Sequence, residues 1–152
     1  MRAGPFLLSA LLCAGAIIPG ACEKRDDTLV QASNDDPRMK SARDEALKRF
    51  SEFAAAFEKR KMSDVFLVKT GFPVRNSSDH EYMWISVRRM QGDTISGKLE
   101  SEPFNDVGLK PGDDVSTTRS AIHDWMYGTK GSKPIGGFQE AVLLEIEKEQ
   151  PK

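Results

Sequence analysis

Residues 82–100, YMWISVRRMQGDTISGKLE, decide the fold because two strand-like segments flank one short turn. In residues 82–90, apolar side chains alternate with others, which is the two-residue period of a strand with one buried face. The turn sequence Gln91-Gly92-Asp93 follows, and residues 94–100 return to a strand pattern. The sequence therefore predicts an antiparallel hairpin whose first strand points Met83, Ile85 and Val87 to one face and Tyr82, Trp84 and Ser86 to the other.

Further segments extend this hairpin into a sheet. Residues 65–68 are apolar at every position, which favours a central strand buried on both faces. Residues 115–118 predict another short strand, after a Pro111-Gly112 pair typical of a type II turn. Residues 122–127 fit either a strand end or a helical turn. Gly97, inside the second strand of the hairpin, indicates a bulge or a close backbone approach.

Helices are predicted before and after the sheet. Asp36 is a good N-cap ahead of Pro37, and residues 37–57 form one helix of about six turns with an apolar stripe that contains Phe50, Phe53 and Phe57. We expect this stripe to pack on the domain's own sheet. Residues 138–148 predict a closing helix. The predicted fold class is α+β, with an N-terminal amphipathic helix, a small antiparallel sheet of about four to five strands, open or barrel-like, and a C-terminal helix.

The first 22 residues predict export. Arg2 precedes an apolar run of 13 residues, 6–18, and the small residues Gly20 and Ala21 precede Cys22. This layout resembles a bacterial lipoprotein signal, in which residues 1–21 are removed and the lipidated Cys22 attaches the protein to a membrane facing the periplasm. Under the enteric sorting rule, Glu23 in place of Asp favours the outer membrane. A soluble secreted protein and a retained anchor are the alternatives, although a spanning helix needs about 20 residues.

The remaining chain divides into a tether and one domain. Residues 22–36 are polar and acidic after the cysteine, which favours lipid attachment followed by a flexible tether, and residues 37–152 suffice for a single core. Removing residues 1–21 takes away one arginine, so 21 Lys and Arg face 23 Asp and Glu, a net charge of −2. This balance argues against a nucleic-acid partner. With Cys13 and Cys22 both accounted for, no thiol remains for a disulfide, a metal or catalysis.

Five spaced motifs follow one another along the predicted domain. They are MWISV at 83–87, GKLESEP at 97–103, LKPGDDV at 109–115, IHDWMY at 122–127 and GGF at 136–138. In this order they resemble the YegJ-like family, a bacterial domain of unknown function. The resemblance implies the class of domain and brings no activity with it.

The sequence contains residues of the types that bind metals or act as nucleophiles, but their spacing along the chain matches no known motif. His80, Glu81, His123 and Asp124 lack the helical spacing of common metal ligands, so we predict no metal and no cofactor. Ser120 with His123 and Asp124 supplies the residue types of a hydrolase triad. However, adjacent His and Asp side chains usually diverge, and polar loop positions are the favoured interpretation.

The best candidates for a binding site are aromatic. Tryptophan and tyrosine suit glycan or peptide recognition, because each combines an apolar face with a polar group. The candidates are Tyr82, Trp84, Trp125 and Tyr127, with Glu100, Glu102 and Asp124 as polar neighbours. Core packing of the two tryptophans is the competing interpretation.

Two functions follow as hypotheses. The first is a non-catalytic, membrane-anchored binding module of the cell envelope, with an envelope protein or a glycan as its ligand. The alternative is an envelope hydrolase that uses acidic residues and His123, with Glu100 and Glu102 as an acid/base pair.

Overall fold

The computed structural model describes residues 36–149, which form three helices and six strands. The predicted signal peptide and Cys22 lie outside the described residues. In chain order the elements are α1 (Pro37–Lys48), α2 (Phe50–Glu58), β1 (Asp64–Pro73), β2 (His80–Gln91), β3 (Thr94–Leu99), β4 (Asp114–Thr118), β5 (Ile122–Thr129), β6 (Ile135–Gly136) and α3 (Phe138–Glu149). The α+β class and the C-terminal helix are thereby confirmed.

All six strands belong to one antiparallel sheet in the order β4-β3-β2-β1-β5-β6. The predicted count of four to five strands is wrong, because the glycine-rich segment after β5 contributes the two-residue strand β6. The barrel-like alternative is wrong as well, since the described strands form an open sheet. The central position predicted for residues 65–68 is confirmed: β1 pairs with β2 on one side and with β5 on the other.

The open sheet is strongly curved. The hydroxyl oxygens of Thr70 in β1 and Thr117 in β4 lie 2.9 Å apart, although β2 and β3 separate the two strands. Three strand spacings in a flat sheet would amount to about 14 Å. The sheet therefore curls around the core without closing into a barrel.

The hydrophobic core lies between α2 and the concave face of the sheet. Phe50, Phe53 and Phe57 are buried there, as the sequence predicts. The ring of Phe53 lies 5.3 Å from Phe66 and 5.5 Å from Trp125, measured between ring centroids. From β2 the buried residues are Met83, Ile85 and Val87, which the alternation places on one face.

The predicted single helix over residues 37–57 is wrong in one detail, because it is interrupted at Arg49. This residue has φ −94° and ψ 8° and separates α1 from α2. Its guanidinium pairs with Glu52 at 2.8 Å and lies 5.2 Å from the centroid of the Phe138 ring. Both contacts hold Arg49 at the junction between the two helices and α3.

Local pairing explains the remaining strand boundaries. β1 continues through Gly71 to Pro73, because β2 pairs with it along this whole length. Residues 122–127 are part of strand β5 rather than a helical turn. At Gly97 both expected features occur: a Cβ atom would overlap the carbonyl oxygen of Ser86, and the pairing of β2 with β3 shifts between Val87 and Arg89.

Candidate functional site

Tyr82 and Trp84 lie on the face of the sheet opposite α2, which we call the outer face. They alternate along β2 with the buried Met83 and Ile85, so their side chains leave the core. Both residues are partly exposed. Two of the four predicted aromatic residues are therefore available to a ligand.

Tyr82 reaches across β1 to meet a residue of β5. The centroids of the Tyr82 and His123 rings lie 4.3 Å apart, although β1 runs between the two strands. Gly71, the β1 partner of Tyr82, makes this possible, because a Cβ atom there would lie 3.1 Å from Cε1 of Tyr82. A glycine in the central strand thus leaves room for the tyrosine ring beside the backbone.

Trp84 lies beside an ion pair. Lys69, its β1 partner, places Nζ 5.5 Å from the centroid of the Trp84 ring and 2.9 Å from Oε1 of Glu140 in α3. The lysine is largely buried, with 8 % of its surface exposed, so its stem packs on the sheet while its charge is paired. We call Lys69, Tyr82, Trp84, His123 and Glu140 the outer-face cluster.

His123 stays neutral at physiological pH. Burial, assisted by the positive charges of Arg43 and Lys69 and by His80, lowers the pKa of its imidazole to about 4. Its Nδ1 atom is buried and has no hydrogen-bond partner among residues 36–149. A neutral ring in contact with Tyr82 makes His123 part of an aromatic surface, whereas a cationic imidazolium would repel Lys69.

Three sequence candidates lie elsewhere. Trp125 is fully buried, and its Nε1 donates a 2.7 Å hydrogen bond to the carbonyl of Ala46. Tyr127 stacks on Phe66 at 5.1 Å between ring centroids and packs against the core. The expectation that these two rings belong to a binding surface is therefore corrected, because β5 directs them toward α2.

Asp124 is also structural. Its carboxylate is buried and accepts hydrogen bonds from the backbone N–H groups of four residues, namely Trp125, Phe138, Gln139 and Glu140. The last three open α3, so a residue of β5 caps this helix. Burial raises the pKa of Asp124, although its backbone donors favour the charged form. A ligand has no free carboxylate oxygen to meet here.

The predicted acidic neighbours and the hypothetical catalytic sets do not join the cluster. Glu100 and Glu102 are exposed, at the end of β3 and in the loop after it. The hydroxyl of Ser120 lies 3.2 Å from that of Thr118, while the Asp124 carboxylate accepts from backbone N–H groups, so the triad is not assembled. Within residues 36–149, no group of three or more His, Cys, Asp and Glu side chains is placed to hold a metal.

Sequence reasoning missed three positions of the candidate site. Lys69 directly follows the apolar run 65–68, and a lysine requires a partner when it is buried. Glu140 gives no such signal, because an acidic residue in the first turn of a helix is ordinary. Gly71 lies beyond the strand predicted at residues 65–68, whereas it is the position over which Tyr82 lies.

Comparison with known proteins assigns this chain to a family. The model of a family described as an uncharacterised protein conserved in bacteria (DUF2314) matches residues 36–150, so the chain belongs to this family. It is similar to the uncharacterised protein YegJ of Escherichia coli (strain K12), with 28% identity over 125 residues, which are 82% of this chain and 79% of the relative. The YegJ-like resemblance is thereby confirmed. No solved structure matches the chain. Among the described residues, no helix has the length and apolar character needed to cross a membrane.

Proposed function

We propose that this protein is a non-catalytic binding module of the bacterial cell envelope. It is exported, attached through a lipidated Cys22 to a membrane that faces the periplasm, with the outer membrane favoured, and it binds an envelope protein or glycan through the outer-face cluster. The observation that carries the proposal is the pair of partly exposed rings, Tyr82 and Trp84, held on one strand beside a lysine and a neutral histidine.

The surroundings of the cluster favour a protein ligand. Leu67 and Met126 are register partners on the same face and are partly exposed, so the rings continue into an apolar surface. Protein interfaces are built from such aromatic anchors with a polar rim, which the ion pair of Lys69 with Glu140 supplies.

The hydrolase alternative finds less support in this geometry. It needs a carboxylate beside His123, but the adjacent Asp124 caps α3. An imidazole whose pKa is lowered to about 4 is also a weak base at neutral pH. Glu100 and Glu102 are exposed, and neither belongs to the outer-face cluster that contains His123.

Affinity capture from cross-linked envelopes tests the proposal. The bait is the full chain with a C-terminal tag, compared with a Tyr82→Ala/Trp84→Ala variant. Phe104→Ala is the matched control, because Phe104 is an aromatic residue with 74% of its surface exposed on the loop after β3. We expect a protein that wild type and Phe104→Ala retain and that the double variant loses at least tenfold.

Two results would count against this function. Equal capture of the same protein by wild type and the double variant would show that the outer-face cluster does not bind it. Retention of a glycan after proteolysis of the captured material would replace the protein ligand by the sugar. A Gly71→Ala variant adds a subtler check, since it crowds the Tyr82 ring and should weaken capture without unfolding the domain.

A further inference from the structure

A basic groove lies at the other end of β2, away from Tyr82. It is a cavity of about 250 Å³ between α2 and the end of β2, lined by Arg60, Arg88 and Arg89 above an apolar floor of Ala54, Phe57 and Met90. Glu58 is the acidic residue in the lining. Three guanidinium groups against one carboxylate leave a net positive groove in a chain whose overall net charge is −1.

An irregularity in β2 brings two of these arginines together. The pairing with β3 shifts between Val87 and Arg89, so β2 has one more residue than its partner at this point. Such a bulge interrupts the alternation of a strand and re-aims side chains. As a result, the consecutive residues Arg88 and Arg89 both line the groove. Within residues 36–149, neither side chain has an ion pair or hydrogen bond.

The third arginine is held in position by α2. The Arg60 guanidinium lies 3.8 Å from the centroid of the Phe57 ring and donates a 2.8 Å hydrogen bond to the Phe57 carbonyl. A guanidinium has five N–H donors, so this contact orients the group and leaves other donors for a ligand. Guanidinium groups match phosphate oxygens in pairs, and the apolar floor suits the carbon chain of an amphiphile.

The turn next to the groove has the same character. Residues 59–62 read Lys-Arg-Lys-Met and connect α2 to β1. Met62 is fully exposed, with a relative accessibility of 107%, at a turn that carries three positive charges. A protruding apolar side chain among basic residues is the composition of a surface that docks on an anionic bilayer.

We propose that the groove and this turn form a docking surface for anionic phospholipids, with the phosphodiester between the arginines and Met62 inserted among the acyl chains. Charge complementarity carries the choice of occupant, because an anionic headgroup neutralises the arginines while its chains cover the apolar floor. This surface is separate from the outer-face cluster and does not depend on lipidation of Cys22.

Vesicle co-sedimentation tests the docking surface. The full chain is used with Cys22→Ser, so that acylation makes no contribution, and its binding to neutral phosphatidylcholine vesicles is compared with binding to vesicles that also contain phosphatidylglycerol. Binding to the neutral vesicles measures any partition into lipid that is caused by the apolar residues 6–18. We expect the gain in partition caused by the anionic lipid to fall about thirtyfold in Arg88→Ser/Arg89→Ser.

Matched variants separate this site from general electrostatics. Lys110→Ser/Lys148→Ser removes the same charge from exposed positions outside the groove and should change the gain less than threefold. Met62→Ser should weaken binding to anionic vesicles about fivefold. Thermal melting of each variant checks that the domain remains folded.

Three results would overturn the proposal. An equal loss of binding to anionic vesicles in the arginine and lysine variants would show general electrostatic attraction rather than a defined site. Unchanged binding of Met62→Ser would exclude the orientation that places this turn against the lipid. Displacement from the vesicles by inorganic phosphate, but not by chloride at the same ionic strength, would assign the groove to a free anion.

Discussion

The two tryptophans of this chain have opposite roles, although both lie in the same sheet, in strands β2 and β5 on either side of β1. Trp125 faces the core, with no exposed surface and a hydrogen bond from its ring nitrogen to the carbonyl of Ala46. Trp84 faces outward and is partly exposed beside Lys69. The direction of each side chain relative to the sheet decides whether its ring stabilises the fold or meets a ligand.

This difference predicts that replacing each tryptophan by alanine lowers the free energy of unfolding by different amounts. Trp125→Ala leaves a cavity and an unpaired buried carbonyl, so it should lower the free energy of unfolding by about 3–5 kcal/mol. Trp84→Ala should cost less, about 1 kcal/mol, because its partly exposed ring lies on the outer face and its removal leaves no cavity in the core. Urea denaturation followed by circular dichroism measures both values. A Trp84→Ala variant as unstable as Trp125→Ala would make Trp84 a core residue.

His123 predicts a pH dependence of stability. Its pKa is about 4 in the folded protein and about 6.5 in the unfolded chain, so the unfolded state binds the proton first. The stabilising contribution is complete above pH 6.5 and is lost as the pH falls toward 4. Because the ring is only partly buried, we expect a loss on the order of 1 to 2 kcal/mol.

The measurement compares wild type with His123→Gln between pH 7 and 4. Carboxylates that titrate at the acidic end affect both proteins, so the difference between the two free-energy curves isolates the histidine. The curves should converge as the pH falls. Parallel curves over this range would show that the folded protein keeps the ordinary pKa of His123.

At the level of elements, the attachment of α3 depends on one residue of β5. Asp124 accepts from the N–H groups of Phe138, Gln139 and Glu140, and Glu140 in turn holds Lys69 at the outer-face cluster. The same helix contacts α1 through the amide of Gln139, which donates to the carbonyl of Met39. The position of α3 therefore links the core to the candidate binding surface.

Replacing this cap should loosen the helix. Asp124→Ala leaves several buried N–H groups without an acceptor, and we expect a loss of about 2–4 kcal/mol together with faster hydrogen exchange in α3. The control is Asp36→Ala, which removes the cap of α1 where Arg38 N–H donates at 2.8 Å in an exposed position. That variant should lose clearly less stability than Asp124→Ala, because its cap is exposed to solvent. Equal losses would mean that α3 does not depend on Asp124.

The elements themselves were largely predictable, whereas their contacts were not. Alternation in residues 82–90 predicts β2 and separates its two faces, because one side of that strand lies in the core. The break at Arg49 and the short β6 escaped prediction, since they depend on contacts with Phe138 and β5 that lie far along the chain. For the same reason Tyr82 and Trp84 could be proposed from sequence, but Lys69, His123 and Glu140 could not be grouped with them before strand order was known.

At the scale of the whole molecule, the domain carries two separate candidate surfaces. The outer-face cluster is aromatic with a paired charge, whereas the groove at the end of β2 is basic. The chain has a net charge of only −1. The positive charge of the groove is therefore a local feature of the surface. A membrane anchor would complement this arrangement, because it would hold both surfaces close to the lipid and to envelope proteins.

The proposed anchor makes a prediction about the whole chain. Wild type should incorporate a labelled fatty acid and fractionate with membranes, whereas Cys22→Ser should lose the label and move toward the soluble fraction, since acyl chains provide most of the membrane affinity of a lipoprotein. Cys13→Ser is the matched control: it changes the same atom within the apolar run 6–18 and should leave labelling intact. A wild-type chain that stays on membranes without label would indicate a retained anchor, and a soluble unlabelled chain would indicate secretion. Either result would leave the domain without its lipid, and in the soluble case the docking groove would have to supply any membrane contact alone.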